Sequence, residues 1–225
     1  MINNSKCIAV IPARGGSKRL KRKNIKQFNG KPLIAWSIYA AKNSNYIDEV
    51  IVSTEDKEIA DLALSFGANV PYMRPVDLSK DNVDSTEPVL DILNNFLEYQ
   101  QVVLLQPTSP LRTTLDIDKC IELSVYNKGV PCIAVTNLVN DFSVLVNKDK
   151  NNIISQFTVK NDNLYKINGA VYTSASDSFK NNRTFMTKNT ICYEMPKERS
   201  IDIDTILDFK IAEELFKIEQ LNNVD

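Results

Sequence analysis

Histidine is absent from the 225-residue chain. Without an imidazole no unperturbed side chain titrates near neutrality, and Ser-His-Asp and Cys-His nucleophile arrangements are excluded together. Chemistry must therefore run on carboxylates, lysines, arginines and a cation held by oxygen ligands. Cysteine numbers 4, and Cys7, Cys120, Cys132 and Cys192 sit in apolar runs without C-x-x-C spacing. That pattern predicts buried reduced thiols in place of disulfides or zinc ligands. No apolar run approaches the length of a membrane span, and Met1-Ile2-Asn3-Asn4 leads straight into a strand. The expectation is a cytoplasmic protein without a membrane partner. Glycine numbers only 6, and neither G-x-x-x-x-G-K-[ST] nor G-x-G-x-x-G occurs. The Walker phosphate loop and the dinucleotide fingerprint are thereby ruled out. A net charge of −1 argues against nucleic acid as a partner.

What the chain does have is concentrated at its start. The apolar run Cys7 to Ile11 is cut off by Pro12, followed by Gly15-Gly16 and the cations Arg14, Lys18, Arg19, Lys21, Arg22 and Lys23. This reads as a buried strand ending in an anion-binding loop, since adjacent glycines let backbone N–H groups face a ligand and clustered cations balance phosphate charge. Ligands of open α/β sheets bind at the carboxyl ends of strands, which is where these charges fall. The target is small and anionic.

The rest alternates. A helix from Pro32 to about Asn43 precedes a strand at Glu49–Ser53, a helix at 56–66 stopped by Gly67, and a third strand at Asn69–Met73. Ser85, with Glu87 and Pro88 behind it, signals the next helix; Val102 to Leu105 reads as a central parallel strand running into Gln106-Pro107-Thr108-Ser109-Pro110. Thr113 and Asp116 form a capping box for a helix to about Tyr126, and a strand follows at 131–136. From Asn137 short strand-prone runs separated by turns suggest a hairpin excursion, with a return to the sheet at Lys166–Thr173, a last strand at 190–194 and a closing helix at 205–221 capped by Asp204. This order predicts one α/β domain over 1–225, a mostly parallel doubly wound (Rossmann-like) sheet with a small β-hairpin excursion at 137–166.

Asp202 and Asp204 flank Ile203, so in an extended segment both carboxylates share a face, a pattern suited to Mg²⁺.

The stretch I-P-A-R-G-G-S-K followed by K-N-I resembles the signature of the acylneuraminate cytidylyltransferases, the CMP-sialic acid synthetases. The resemblance extends through Arg74-Pro75, L-L-Q-P-T-S-P-L-R at 104–112, N-G-A-V-Y at 168–172 and S-I-D-I-D-T at 200–205. It implies that Arg14, Lys18 and Lys23 contact the triphosphate, that Gly15, Gly16, Asn24, Arg74, Ser85 and Gln106 line the nucleotide site, and that Asp202 and Asp204 hold Mg²⁺. For Arg19, Lys21 and Arg22 a solvated surface role is preferred, because a loop cannot aim every cation inward. Arg112 is as suited to a structural role as to binding. Family arginines that meet the sugar carboxylate before N-G-A are replaced here by Lys160 and Lys166, which with Gln106 and Asn168 are the expected sugar-side residues. Lysine lacks the bidentate fork and orients a carboxylate less strictly.

The resemblance implies that CTP and a nine-carbon 2-keto sugar acid of the N-acylneuraminate or legionaminate type give the CMP-sugar and pyrophosphate. Arg14 and Lys23 would bear on the leaving group. A Kdo-type cytidylyltransferase and a catalytically silent nucleotide-binding partner protein are the alternatives. The excursion implies a two-fold homodimer in which Lys160 or Lys166 lies near the other subunit's site.

Overall fold

The computed structural model describes residues 2, 4–138, 146–148, 150, 152, 154–156 and 164–222. In chain order its first half contains β1 (Cys7–Pro12), β2 (Gln27–Phe28), β3 (Lys31–Pro32), α1 (Leu33–Lys42), β4 (Glu49–Ser53), α2 (Lys57–Ser65), α3 (Thr86–Asn95) and β5 (Gln101–Leu104). Its second half contains α4 (Thr114–Tyr126), β6 (Cys132–Asn137), β7 (Val146–Lys148), β8 (Ile154–Gln156), β9 (Tyr165–Ala175), α5 (Ser176–Asn182), β10 (Ile191–Glu194) and α6 (Ile206–Asn222).

The central sheet has 6 strands in the order β10-β6-β9-β5-β1-β4. β1 runs parallel to both β4 and β5, and β10 parallel to β6, while β9 lies antiparallel between β5 and β6. The sheet is therefore mostly parallel, as the alternating sequence predicts, with one reversed strand in its middle. β7 and β8 pair antiparallel as a separate two-stranded hairpin within the expected excursion.

Because successive side chains of a strand point to opposite faces, β1 feeds two cores. Cys7, Ala9 and Ile11 pack with Ile34 and Ile38 of α1, Ile59 of α2 and Ile117 and Ile121 of α4. Ile8 and Val10 pack with Val89, Ile92 and Leu93 of α3 and Phe179 of α5. Each such fully buried aliphatic side chain contributes roughly 1.5–3 kcal/mol. A third cluster joins Leu20 and Phe28 to Phe209 and Ala212 of α6, with Phe28 meeting Phe209 edge-on at 5.5 Å. Ile203 is fully buried in this cluster, so the segment before α6 is anchored by its middle residue.

Several local expectations are corrected. Asn69–Met73 is not a strand: only Asn69 bridges Ile51, and Pro71, lacking an N–H, cannot extend the ladder. The side chain that caps α3 is Asp84, whose Oδ1 accepts from Thr86 N–H at 2.8 Å, while Ser85 makes no capping bond. Asp204 does not cap α6 either. Asp208 Oδ2 accepts from Thr205 N–H at 2.7 Å and Asp208 N–H donates to Thr205 Oγ1 at 3.3 Å, so the reciprocal box belongs to Thr205 and Asp208. Cys7, Cys120 and Cys132 are buried, but Cys192 is exposed because it lies on the sheet's edge strand, β10, where alternate residues face outward.

Candidate active site

A cavity of about 550 Å³ opens beside the carboxyl ends of β1 and β5. The loop after β1 contributes Arg14, Ser17, Lys18, Arg19, Lys23 and Asn24 to its wall, and the segment before α6 contributes Asp202 and Asp204. Arg74, Lys80, Asp81, Asp84, Ser85, Gln106 and Thr108 complete the polar lining. Of the residues expected from sequence, Arg14, Lys18, Lys23, Asn24, Arg74, Ser85, Gln106, Asp202 and Asp204 thus converge on one space.

Burial of Ile203 leaves its two neighbours on the cavity side. Ile203 N–H donates to Thr108 O at 2.8 Å, and Lys23 Nζ donates to Ile203 O at 2.6 Å, so the aspartate pair is hung between the β5 loop and the basic loop. Lys23 also reaches Asp204 Oδ1 at 3.2 Å, and Arg19 reaches Asp204 Oδ2 at 3.0 Å. Arg19 makes this contact from a side chain that is 71% exposed, so it keeps the solvated position expected of it while its tip reaches the cavity wall. Asp202 Oδ1 is buried and has no hydrogen-bond partner among the described residues. A buried carboxylate oxygen costs free energy unless something satisfies it, and an orphan oxygen beside a second carboxylate is the donor set a hard cation takes. Burial, then the charges of Asp202 and Asp84, push the Tyr172 hydroxyl up to about 12.

The basic loop is braced from behind by acids. Gly15 N–H donates to Glu55 Oε1 at 2.8 Å, so this amide faces protein and is not turned toward a ligand. Neither Gly15 nor Gly16 is part of the wall. A Cβ at Gly15 would collide with the Asp56 carboxylate, whereas one at Gly16 would meet nothing within 4 Å. Arg22, in the left-handed region at φ 56°, pairs with Asp56 and Glu58, which corrects its solvated reading; Lys21 is exposed as expected. Arg74 is nearly buried and gives Nη2 to Glu55 Oε2 at 2.8 Å and Nε to Ser79 Oγ at 3.0 Å. In front, Asp81 pairs with Arg14 at 2.7 Å and with Lys18. The hydrogen bond from Lys18, followed by that from Arg14, holds the Asp81 carboxyl below the usual carboxylate range.

The sugar-side expectations divide. Asn168 is fully buried behind the wall: its Nδ2 donates to Ser200 Oγ at 3.0 Å and its Oδ1 accepts from Ala170 N–H at 3.0 Å. Gly169, at φ +75°, lies where a Cβ would come within 2.5 Å of Gln106 Oε1. N-G-A thus seats Gln106 and the Ser200 segment from behind. Arg112 is buried and donates to Ala170 O, Ser37 Oγ and Gln106 O, a structural staple for the same wall. Lys166 is exposed on β9, apart from the cavity wall, and Lys160 lies outside the described residues.

Glu55, Asp81 and Arg19 are what the sequence reading missed. T-E-D directly follows the parallel strand β4, the one local signal that could have flagged Glu55.

Cations facing a carboxylate pair at the carboxyl ends of parallel strands define a nucleotidyl-transfer type of site. The cytidylyltransferase family model matches residues 8–225, and the chain belongs to that family. It is 36% identical to the CMP-N,N'-diacetyllegionaminic acid synthase of Legionella pneumophila, over 95% of this chain and 97% of that one. It is 33% identical to a pseudaminic acid cytidylyltransferase of Campylobacter jejuni, with 95% and 97% covered. It is also 33% identical to the N-acylneuraminate cytidylyltransferase of Escherichia coli, spanning 92% of this chain and 51% of that one. Among solved structures, a CMP-2-keto-3-deoxy-manno-octonic acid synthetase complexed with CTP shares the fold, with a TM-score of 0.75 at 18% identity, covering 96% of this chain and 100% of that one.

Proposed function

We propose that the chain transfers CMP from CTP to a nine-carbon 2-keto sugar acid, releasing pyrophosphate. The observation that carries this reading is the single cavity wall on which Arg14, Lys18 and Lys23 face Asp202 and Asp204. The names of the sequence relatives support an acid of the legionaminic, pseudaminic or neuraminic kind.

In the reaction the anomeric hydroxyl of the sugar forms a new bond to the α-phosphorus and gives up its proton to solvent, while the α-phosphorus bond to the pyrophosphate oxygen breaks. Arg14 and Lys18 bind the β- and γ-phosphates as charges already fixed in place, and Lys23 neutralises charge that develops on the departing pyrophosphate. Asn24, which donates to Arg14 O at 2.9 Å, holds the loop that carries these cations. Arg74, Ser85 and Gln106 contact the nucleotide, with Gln106 shared by the sugar. Asp202 and Asp204 would hold Mg²⁺, a role the orphan Asp202 Oδ1 fits. Bound there, the ion supplies charge neutralisation and polarisation of phosphate oxygens.

The sugar side is completed by a second subunit in a two-fold homodimer, with Lys160 or Lys166 near the partner's cavity. Tyr165 and Ile167, exposed on either side of Lys166, support an apolar contact there.

The test is a panel of sugar acids with CTP and Mg²⁺, following pyrophosphate release, with UTP alongside. Turnover with a nine-carbon acid and strong preference for CTP is expected, because a site built around one base edge leaves groups unpaired with another. Turnover with the eight-carbon acid Kdo alone, or equal use of UTP, would overturn the reading.

A further inference from the structure

Glu55 stands at the carboxyl end of β4, behind the basic loop, and donors from that loop and from the 74–79 segment converge on it. Oε1 accepts from Gly15 N–H at 2.8 Å, and Oε2 accepts from Arg74 Nη2 at 2.8 Å and Ser79 Oγ at 2.9 Å. Its side chain is 20% exposed and that of Arg74 only 3%. A guanidinium so far removed from water is held in place only if its charge is matched and its donors are used. Glu55 and Ser79 do this from two edges, leaving Nη1 of Arg74 without a protein acceptor among the described hydrogen bonds. Glu55 itself is not part of the cavity wall, whereas Arg74 is.

Neighbouring residues fit the same arrangement. A side chain at Gly15 would strike Asp56, so glycine there lets the backbone of the basic loop approach the acidic turn closely enough for the Glu55 contact. Burial alone would push the Glu55 carboxyl up. The hydrogen bonds from Gly15 N–H, its own backbone N–H, Arg74 and Ser79 outweigh that and hold it below the usual range.

We infer that Glu55 is a positioning residue for nucleotide binding, which acts through Gly15 and Arg74 by fixing the basic loop and the guanidinium in one relative register. This role rests on the reading that the cavity takes CTP. A glutamine cannot replace it, because an amide has one oxygen and an NH₂, so either Gly15 N–H or Arg74 would face a donor.

The test compares wild type, Glu55→Gln, Arg74→Met and the double variant by CTP calorimetry, kinetics and thermal midpoint. Glu55→Gln should weaken CTP binding at least about tenfold, since hydrogen bonds to charged groups are involved. Its KM for the sugar acid should stay within about twofold, while its thermal midpoint falls below that of wild type because the buried Arg74 guanidinium loses its matching charge. The loss in the double variant should be smaller than the product of the single losses, as expected of residues acting through one another. A Glu55→Gln variant that binds CTP as wild type does overturns the inference, as does one that loses both substrates together with its thermal midpoint. Should that variant not fold, Glu55→Asp decides by the same CTP criterion, because its shorter arm cannot span both partners. A wild type that binds no CTP would instead overturn the functional reading and the inference with it.

Discussion

Lys23 crosses from the basic loop to the aspartate pair and places Nζ 3.2 Å from Asp204 Oδ1. One side chain thus joins the group assigned to the leaving phosphate with the group assigned to the cation, and their charges are matched before any substrate arrives. Asp204→Asn should keep the fold, because Thr205 and Asp208 cap α6 without it. Turnover should fall at least about 10²-fold if a metal ligand is lost. Pyrophosphate release measured across a magnesium titration checks this, and near-normal rates at saturating ion would refute it.

Asp81 occupies Arg14 and Lys18 as a phosphate would. Asp81→Asn removes that competition, and the KM for CTP should fall by about two- to fivefold, the scale of exposed ion pairs. The gain should shrink as salt is raised, because these charges face solvent. A raised KM would mean that Asp81 orients Arg14 instead of competing for it.

Gly169→Ala should cost stability and activity together. At φ +75° a Cβ is strained, and the added atom would press on Gln106 Oε1. A loss of about 1–3 kcal/mol in urea denaturation, with reduced turnover, is expected. An unchanged denaturation midpoint would show that this turn relaxes freely.

Acid should unfold the brace behind the basic loop. The hydrogen bond from Arg22 holds the Asp56 carboxyl below its usual value in spite of burial, and Glu55 is lowered likewise. A depressed folded pKa gives stability that is fully present above the unfolded value of about 4 and is lost as pH falls through the folded one. The thermal midpoint should therefore hold from pH 7 to about 5 and decline below about 4, more shallowly in Asp56→Asn. Equal slopes in the two proteins would refute the linkage.

What the sequence disclosed was what short-range patterns encode. The Thr113–Asp116 box, the strand at Glu49–Ser53 and the helix starting after Pro32 were legible because each depends on residues a few positions apart. So was the concentration of cations after β1. The reversed direction of β9 was not, since pairing with β5 and β6 leaves no mark in its own composition. Glu55 and Asp81 were missed for a related reason: Gly15 lies 40 residues from Glu55 and Arg14 lies 67 from Asp81, and a carboxylate in a polar turn looks solvated until the fold brings a donor to it. Asn168 shows the converse, a motif residue whose sequence position suggests contact with a ligand but whose amide is taken up by Ser200 within the wall.

β6 and β9 are sheet neighbours, with Asn137 paired to Tyr165, and just beyond that pair Leu138 N–H donates to Leu164 O at 2.9 Å. The chain thus leaves the sheet and re-enters it at the same doorway. Whatever lies between those two leucines can be lengthened, shortened or exchanged for another without rethreading a strand, because the ends to be rejoined are already in contact.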